Sequence, residues 1–144
     1  ANALANLGYS EVIQAQQLER AEAEVYESAI NYLQQGLQLS ERLGDNYGAG
    51  FALQQSKALC CSSLGIAHIV LSQPQVAINY LESGFEAAQR SGDLYLQGLN
   101  LTYLAEANYS LQQIEKAIYI GCLGMYLLEQ IDSPQWRQTA GLVT

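Results

Sequence analysis

The segment AINYLQQGLQLSERLGD at residues 29–45 returns at residues 77–93 as AINYLESGFEAAQRSGD, and the two agree at nine of seventeen positions without a gap. A chain that writes one segment twice builds one packing arrangement twice, so the repeat is the first constraint on its fold. A third, fainter copy begins at Ala117–Ile118, with Gly124 seven residues after its Ala, as Gly36 and Gly84 stand after theirs. The separations between the three Ala residues are 48 and 40. The phase also holds upstream of the last two copies. Leu64–Gly65, Ala67 and Leu71 precede Ala77 by 13, 12, 10 and 6 residues, and Leu104–Ala105, Ala107 and Leu111 precede Ala117 by the same distances.

Within each copy the apolar spacing is helical. Ala77, Leu81, Gly84, Phe85 and Ala88 fall on one face of a helix, and Leu101, Leu104, Ala105, Asn108 and Leu111 do the same. Long alternating Val/Ile/Thr runs and Asn-Gly or Asp-Gly hairpin turns do not occur. Breaks are expected at Leu43–Gly44–Asp45–Asn46, Ser72–Gln73–Pro74, Ser91–Gly92–Asp93 and Asp132–Ser133–Pro134, where Gly, Asp, Ser and Pro mark helix ends and starts. These signals predict helices over about 3–24, 26–43, 48–72, 75–91, 95–112 and 114–131, with a seventh starting near Pro134 and an alternative loop at Gly48–Gly50. Short connections make neighbouring helices antiparallel hairpins.

One domain of 144 residues can bury a substantial core. The chain opens without Met in the middle of an apolar pattern, which points to a piece of a longer protein. Its net charge of −8 and lack of a basic cluster argue against nucleic acid and against an anionic membrane surface. No apolar run approaches the roughly 20 residues that span a bilayer. Cys60, Cys61 and Cys122, with His68 the sole histidine, form no zinc set, and read as buried thiols in a reducing, cytoplasmic setting. No metal or cofactor is expected.

The Leu-Gly-x-Ala of residues 64–67, the Ala that opens each second helix and the Gly two turns later resemble the tetratricopeptide repeat, in a longer variant of about 40 residues per unit. The resemblance implies an all-α, right-handed alpha-alpha superhelix of helical hairpins, with units over about 3–45, 46–93 and 94–132 and the start of a further helix over 133–144. Leu7–Gly8 offers the same dipeptide to the first unit. It lies 22 residues before Ala29, nine more than the spacing of the later units, and so reads as out of phase. His68 and Asn108 take the position of the family's helix-one aromatic.

First helices of such arrays line a concave groove that binds peptides or helices. Carried onto this chain, the groove candidates are Leu59, Ser62, Ile66, Ile69 and Val70 in one unit and Leu99, Thr102, Glu106, Tyr109 and Ser110 in the next. None is Lys, Arg or Asn, which excludes the family's clamp for a C-terminal carboxylate and leaves an apolar, mildly acidic surface. Tyr32 and Tyr80 recur with the repeat and read as structural, whereas Tyr103 and Tyr109 are better placed for recognition. His68 reads as a packed, hydrogen-bonded residue, and the acidic run 19–27 as a solvated helix face.

No Gly-x-Ser-x-Gly, phosphate-cradling loop, His-Glu-x-x-His or Glu-x-x-His is present, so a catalytic role is not expected. The leading expectation is a non-enzymatic scaffold for a protein or peptide partner, part of a larger signalling or assembly protein, with self-association through an end or the groove. The alternative is a regulatory domain that closes around a small ligand or peptide.

Overall fold

The structure, a computed structural model, describes residues 2–17, 23–47 and 50–131. Its helices are α1 (Asn2–Gln17), α2 (Ala23–Tyr47), α3 (Phe51–Val70), α4 (Pro74–Ser91), α5 (Leu94–Ser110) and α6 (Ile114–Gln130). Among the described residues there is no strand, and the all-α expectation holds. The seventh helix expected at Pro134 lies outside the described residues.

Local chemistry explains the second half well. Pro74 opens α4 at a position where a missing N–H costs nothing. Gly92, at φ 72°, closes α4 in the left-handed conformation, and Asp93 caps α5 by accepting from the Leu96 N–H at 2.9 Å. The α3–α4 and α5–α6 turns are copies of one another. Ser72 and Gln112 both take positive φ, at 59° and 64°, and the next residues' N–H groups donate to the His68 and Asn108 carbonyls at 2.8 and 2.9 Å.

The first half departs from the expected boundaries. Helix α2 begins at Ala23 and runs through Gly44 to Tyr47, so the expected break at 43–46 is absent. Gly50 instead precedes α3 in extended backbone, as the alternative loop anticipated. The sequence of the false stop is nearly that of the true one at 91–93, so the local signal could not separate them.

Among the described residues, helices touch only their chain neighbours and, in one row, the next but one. Helix α3 packs on both α1 and α5, whereas α2, α4 and α6 do not approach one another within 8 Å between Cα atoms. The odd helices thus form one row and the even helices a second, each member of which rests on odd helices alone. The core runs between the rows through Val12, Leu33, Leu64, Leu81, Leu96 and Leu104.

The repeat is visible in atomic contacts. A methyl group on Gly65 of α3 would collide with Leu81 of α4, and one on Gly8 of α1 would collide with Leu33 of α2 in the same way. Leu33 and Leu81 both stand four residues after their repeat Ala. Gly8 is therefore the first unit's counterpart of Gly65, which corrects the expectation that Leu7–Gly8 is out of phase. The nine extra residues fall between Gly8 and Ala29. Among the described residues, 9–17 and 23–28 are helical there, against 66–70 and 74–76 in the later pair.

The eight extra residues between the first two copies divide similarly. Among the described residues, α2 continues four residues further past its Ala than α4 does, and α3 starts three residues earlier before Gly65 than α5 before Ala105. Each insertion adds about one turn to each arm of a hairpin, so the packed faces keep their alignment.

The third pair solves the same packing differently. Gly121 stands where the earlier units have Leu33 and Leu81, and Ala105 where they have Gly8 and Gly65. The missing leucine reappears seven residues later as Leu128, and its recess seven residues earlier as Gly98, where an added methyl would lie 2.6 Å from Leu128. Because α5 and α6 run in opposite directions, both shifts move the contact the same way along the pair. Volume is conserved, as close packing demands.

Candidate functional site

The glycine seven residues after each repeat Ala marks a close helix crossing, which at Gly36 and Gly84 joins three helices. A methyl on Gly36 would lie 3.4 Å from the Ala5 nitrogen, one on Gly84 3.1 Å from that of Ser62, and one on Gly124 3.3 Å from that of Thr102. Ala5, Ser62 and Thr102 each stand three residues before the small residue of their own first helix. The next unit approaches from the other side. Cys60 Sγ would meet the methyl on Gly36 at 3.2 Å, and Asn100 Oδ1 the one on Gly84 at 2.6 Å.

Asn100 is 0% exposed, and its amide joins α5 to α3 by donating to Ser62 Oγ at 2.6 Å and to the Leu96 carbonyl at 2.7 Å. The Ser62 hydroxyl in turn donates to the Ala58 carbonyl at 2.7 Å. Asn100 Oδ1 has no hydrogen-bond partner and rests against Gly84.

These contacts decide the standing of the ten groove candidates. Ser62 and Thr102 belong to the crossings, Ile66 and Leu99 are buried, and none of the four can touch a partner in this arrangement. Leu59 and Ile69 are half-buried against the core. Val70, Glu106, Tyr109 and Ser110 are exposed, so the accessible part of the set gathers at the C-terminal ends of α3 and α5.

Glu106 is exposed along part of its side chain, and the burial of its carboxyl raises it above the usual range. Ser110 donates to the Glu106 carbonyl at 3.1 Å, and Tyr109, 52% exposed, leaves most of its ring free.

One contact between α1 and α5 is shown by no local pattern. Tyr9 of α1 lies beside Tyr95 and Tyr103 of α5, with Tyr95 within hydrogen-bonding reach. Their backbones stay more than 8 Å apart between Cα atoms, with α3 between them, so the bridge is made by side chains alone. Burial first, then the Tyr95 hydrogen bond and the neighbouring phenols, raise the Tyr9 phenol well above its usual range. Tyr103, expected as a recognition residue, is thus buried, while Tyr109 is open. Alignment of the units could have flagged Tyr9, which takes the position of Ile66 and Glu106.

His68 is packed and hydrogen-bonded, as expected: it stacks on Tyr80 with ring centroids 5.5 Å apart and shares a 2.7 Å hydrogen bond with Gln73. Glu24 and Glu27 of the acidic run are exposed, although Tyr26 between them enters the core, and the run's residues 19–22 lie outside the described residues. Cys60 and Cys61 are free and buried, and burial pushes their thiols up to about 11 and about 12, which leaves them inert at neutral pH. Cys122 is free and exposed, which corrects the expectation that all three thiols are buried. Among the described residues no three His, Cys, Asp or Glu side chains group as metal ligands, and no helix is long and apolar enough to cross a membrane.

No protein-family model matches the chain, and no curated protein matches it in sequence.

Proposed function

We propose that the chain is a stretch of right-handed alpha-alpha superhelix built from tetratricopeptide-like hairpins, and that it serves as a non-enzymatic scaffold for a protein or peptide partner. The order of helix contacts carries this reading. Odd helices touch one another and even helices touch only odd ones, so each unit presents an equivalent face and the stack offers an extended surface instead of a closed centre. The recurring recesses at Gly8, Gly65 and Gly98 support it, since they let successive helices approach closely.

The open patch of Val70, Glu106, Tyr109 and Ser110 is the binding surface on this reading. It is apolar with one carboxylate, and suits a peptide with an apolar anchor and a basic neighbour. On this reading the chain works in the cytoplasm in signalling or assembly, a setting with which free thiols and net negative charge are compatible. Paired substitutions Val70→Ser and Tyr109→Ala test the assignment, because both side chains are exposed and the fold should survive. Capture from extracts of the source cell should retain fewer partners on the variant than on the parent. Identical partner sets for the two would refute the patch.

One observation favours the sensor reading as a second proposal: Tyr9, Tyr95 and Tyr103 join α1 to α5 across α3. Spectroscopic labels on α1 and α5 should report a change of separation when such a ligand binds, and a constant separation would remove this alternative.

A further inference from the structure

Helix α6 carries an exposed apolar face that the other even helices lack. Tyr119 and Tyr126 are 69% and 61% exposed, with Cys122 between them and Ile118 and Leu123 exposed alongside. At the positions of Tyr119, Cys122 and Tyr126, α2 has Asn31, Gln34 and Gln38, and α4 has Asn79, Glu82 and Glu86. Those six are exposed as well, so the face is the same outer face in all three units and only its chemistry changes.

Continuation of the stack does not account for the change. Helix α4 is followed by both α5 and α6, and its Asn79, Glu82 and Glu86 still face solvent. A further helix added after α6 would leave the Tyr119–Tyr126 line equally open. Whatever covers this line comes from outside the stack.

The line has the spacing of a helix-pairing seam. Glu115, Tyr119, Cys122, Tyr126 and Glu129 follow one another at intervals of 4, 3, 4 and 3 residues. Both ends are exposed carboxylates, and Lys116 lies off the line. Self-pairing is opposed by this charge pattern. Two copies set together along the seam, parallel or antiparallel, bring their glutamates against one another at both ends, and like charges at an interface select against that partner. The overall charge of −8 acts in the same direction.

We propose that the outer face of α6 is a docking site for an amphipathic helix of another protein, one with a two-heptad apolar stripe and Lys or Arg at both ends of it. Tyr119 and Tyr126 supply the apolar anchors, the Cys122 thiol fills the narrow centre, and Glu115 and Glu129 set the register. The site is distinct from the Val70–Tyr109 patch and stands without it.

The test uses the whole chain and two synthetic 18-residue helical peptides with leucines at 4-3-4 spacing along one face. One has lysines at both ends of that face, the other glutamates. Reaction of Cys122 with a thiol reagent reads occupancy of the seam directly, since Cys60 and Cys61 are buried. The lysine peptide at saturation is expected to slow Cys122 at least fivefold. Tyr119→Ser with Tyr126→Ser is expected to weaken its binding at least tenfold, and Glu115→Gln with Glu129→Gln several-fold, each with unchanged helix content. Equal protection by the glutamate peptide overturns the proposal, as does no protection by the lysine peptide. A dimer in sedimentation that dissolves in the Tyr119→Ser/Tyr126→Ser chain also overturns it, in favour of a second copy as the occupant.

Discussion

Replacing Gly84 by Ala should destabilise the protein through one identifiable neighbour. The new methyl would lie 2.6 Å from Asn100 Oδ1 and 3.1 Å from both Ser62 N and Ser62 Oγ. Asn100 must move, and it is fully buried with its amide committed to Ser62 and Leu96. Overpacking a filled core costs about 1–3 kcal/mol, and a displaced buried hydrogen bond costs about 1 kcal/mol or more. Ala in place of a mid-helix Gly returns about 1 kcal/mol, so the net loss is about 2 kcal/mol. The Asn100→Ala background removes the obstructing oxygen, and there Gly84→Ala should change stability by about zero. The coupling of about 2 kcal/mol is measured by urea unfolding of the four chains in a double-mutant cycle, followed by far-ultraviolet circular dichroism. An equal cost of Gly84→Ala in both backgrounds would refute the junction as described.

The same substitution should have the opposite sign at Gly44, which lies inside α2 with nothing within 4 Å of an added methyl; unfolding midpoints should show a gain of about 0.5–1 kcal/mol. Gln112→Gly should also stabilise, by about 0.5 kcal/mol, because relief of a left-handed side-chain conformation exceeds the added freedom of the unfolded chain. A loss in thermal melting would show that Gln112 contributes more than its backbone shape. Tyr9 favours its neutral form more in the folded than in the unfolded state, so its contribution is complete below pH 10 and is lost as pH rises through the raised folded value. Stability of the parent above pH 10 should therefore fall more steeply than that of Tyr9→Phe, measured by unfolding at a series of alkaline pH values.

The parts of the fold legible in the sequence are those written in local chemistry. Pro74, Gly92 and Asp93 act through their own backbone, and the boundaries of α4, α5 and α6 fall within two residues of expectation. Gly44 and Gly92 share a flanking pattern yet differ in outcome, since α2 runs through Gly44 while α4 ends at Gly92. Gly8 was recognisable as a dipeptide but not as a repeat position, since spacing along the chain counts the nine extra residues between Gly8 and Ala29. The side-chain bridge from α1 to α5 was the least legible, because Tyr9 reaches Tyr95 across 86 positions of chain and no single-helix period encodes that contact. Of the groove candidates, Val70 and Tyr109 are exposed.

The placement of the two insertions has a consequence for how such a chain can grow. A hairpin tip accepts new length without disturbing the packed face only if both arms lengthen together and each brings the chain back to the side from which it must cross over. Both conditions are met by roughly one turn per arm, and the observed additions of four and three residues are the whole numbers nearest to 3.6. Length variation in a repeat of this kind should therefore come in steps of seven to nine residues. A four-residue insertion at one tip would leave one arm longer than its mate, with the crossover on the wrong side. Unit length here behaves as a stepped quantity, and the 48- and 40-residue spacings are adjacent steps.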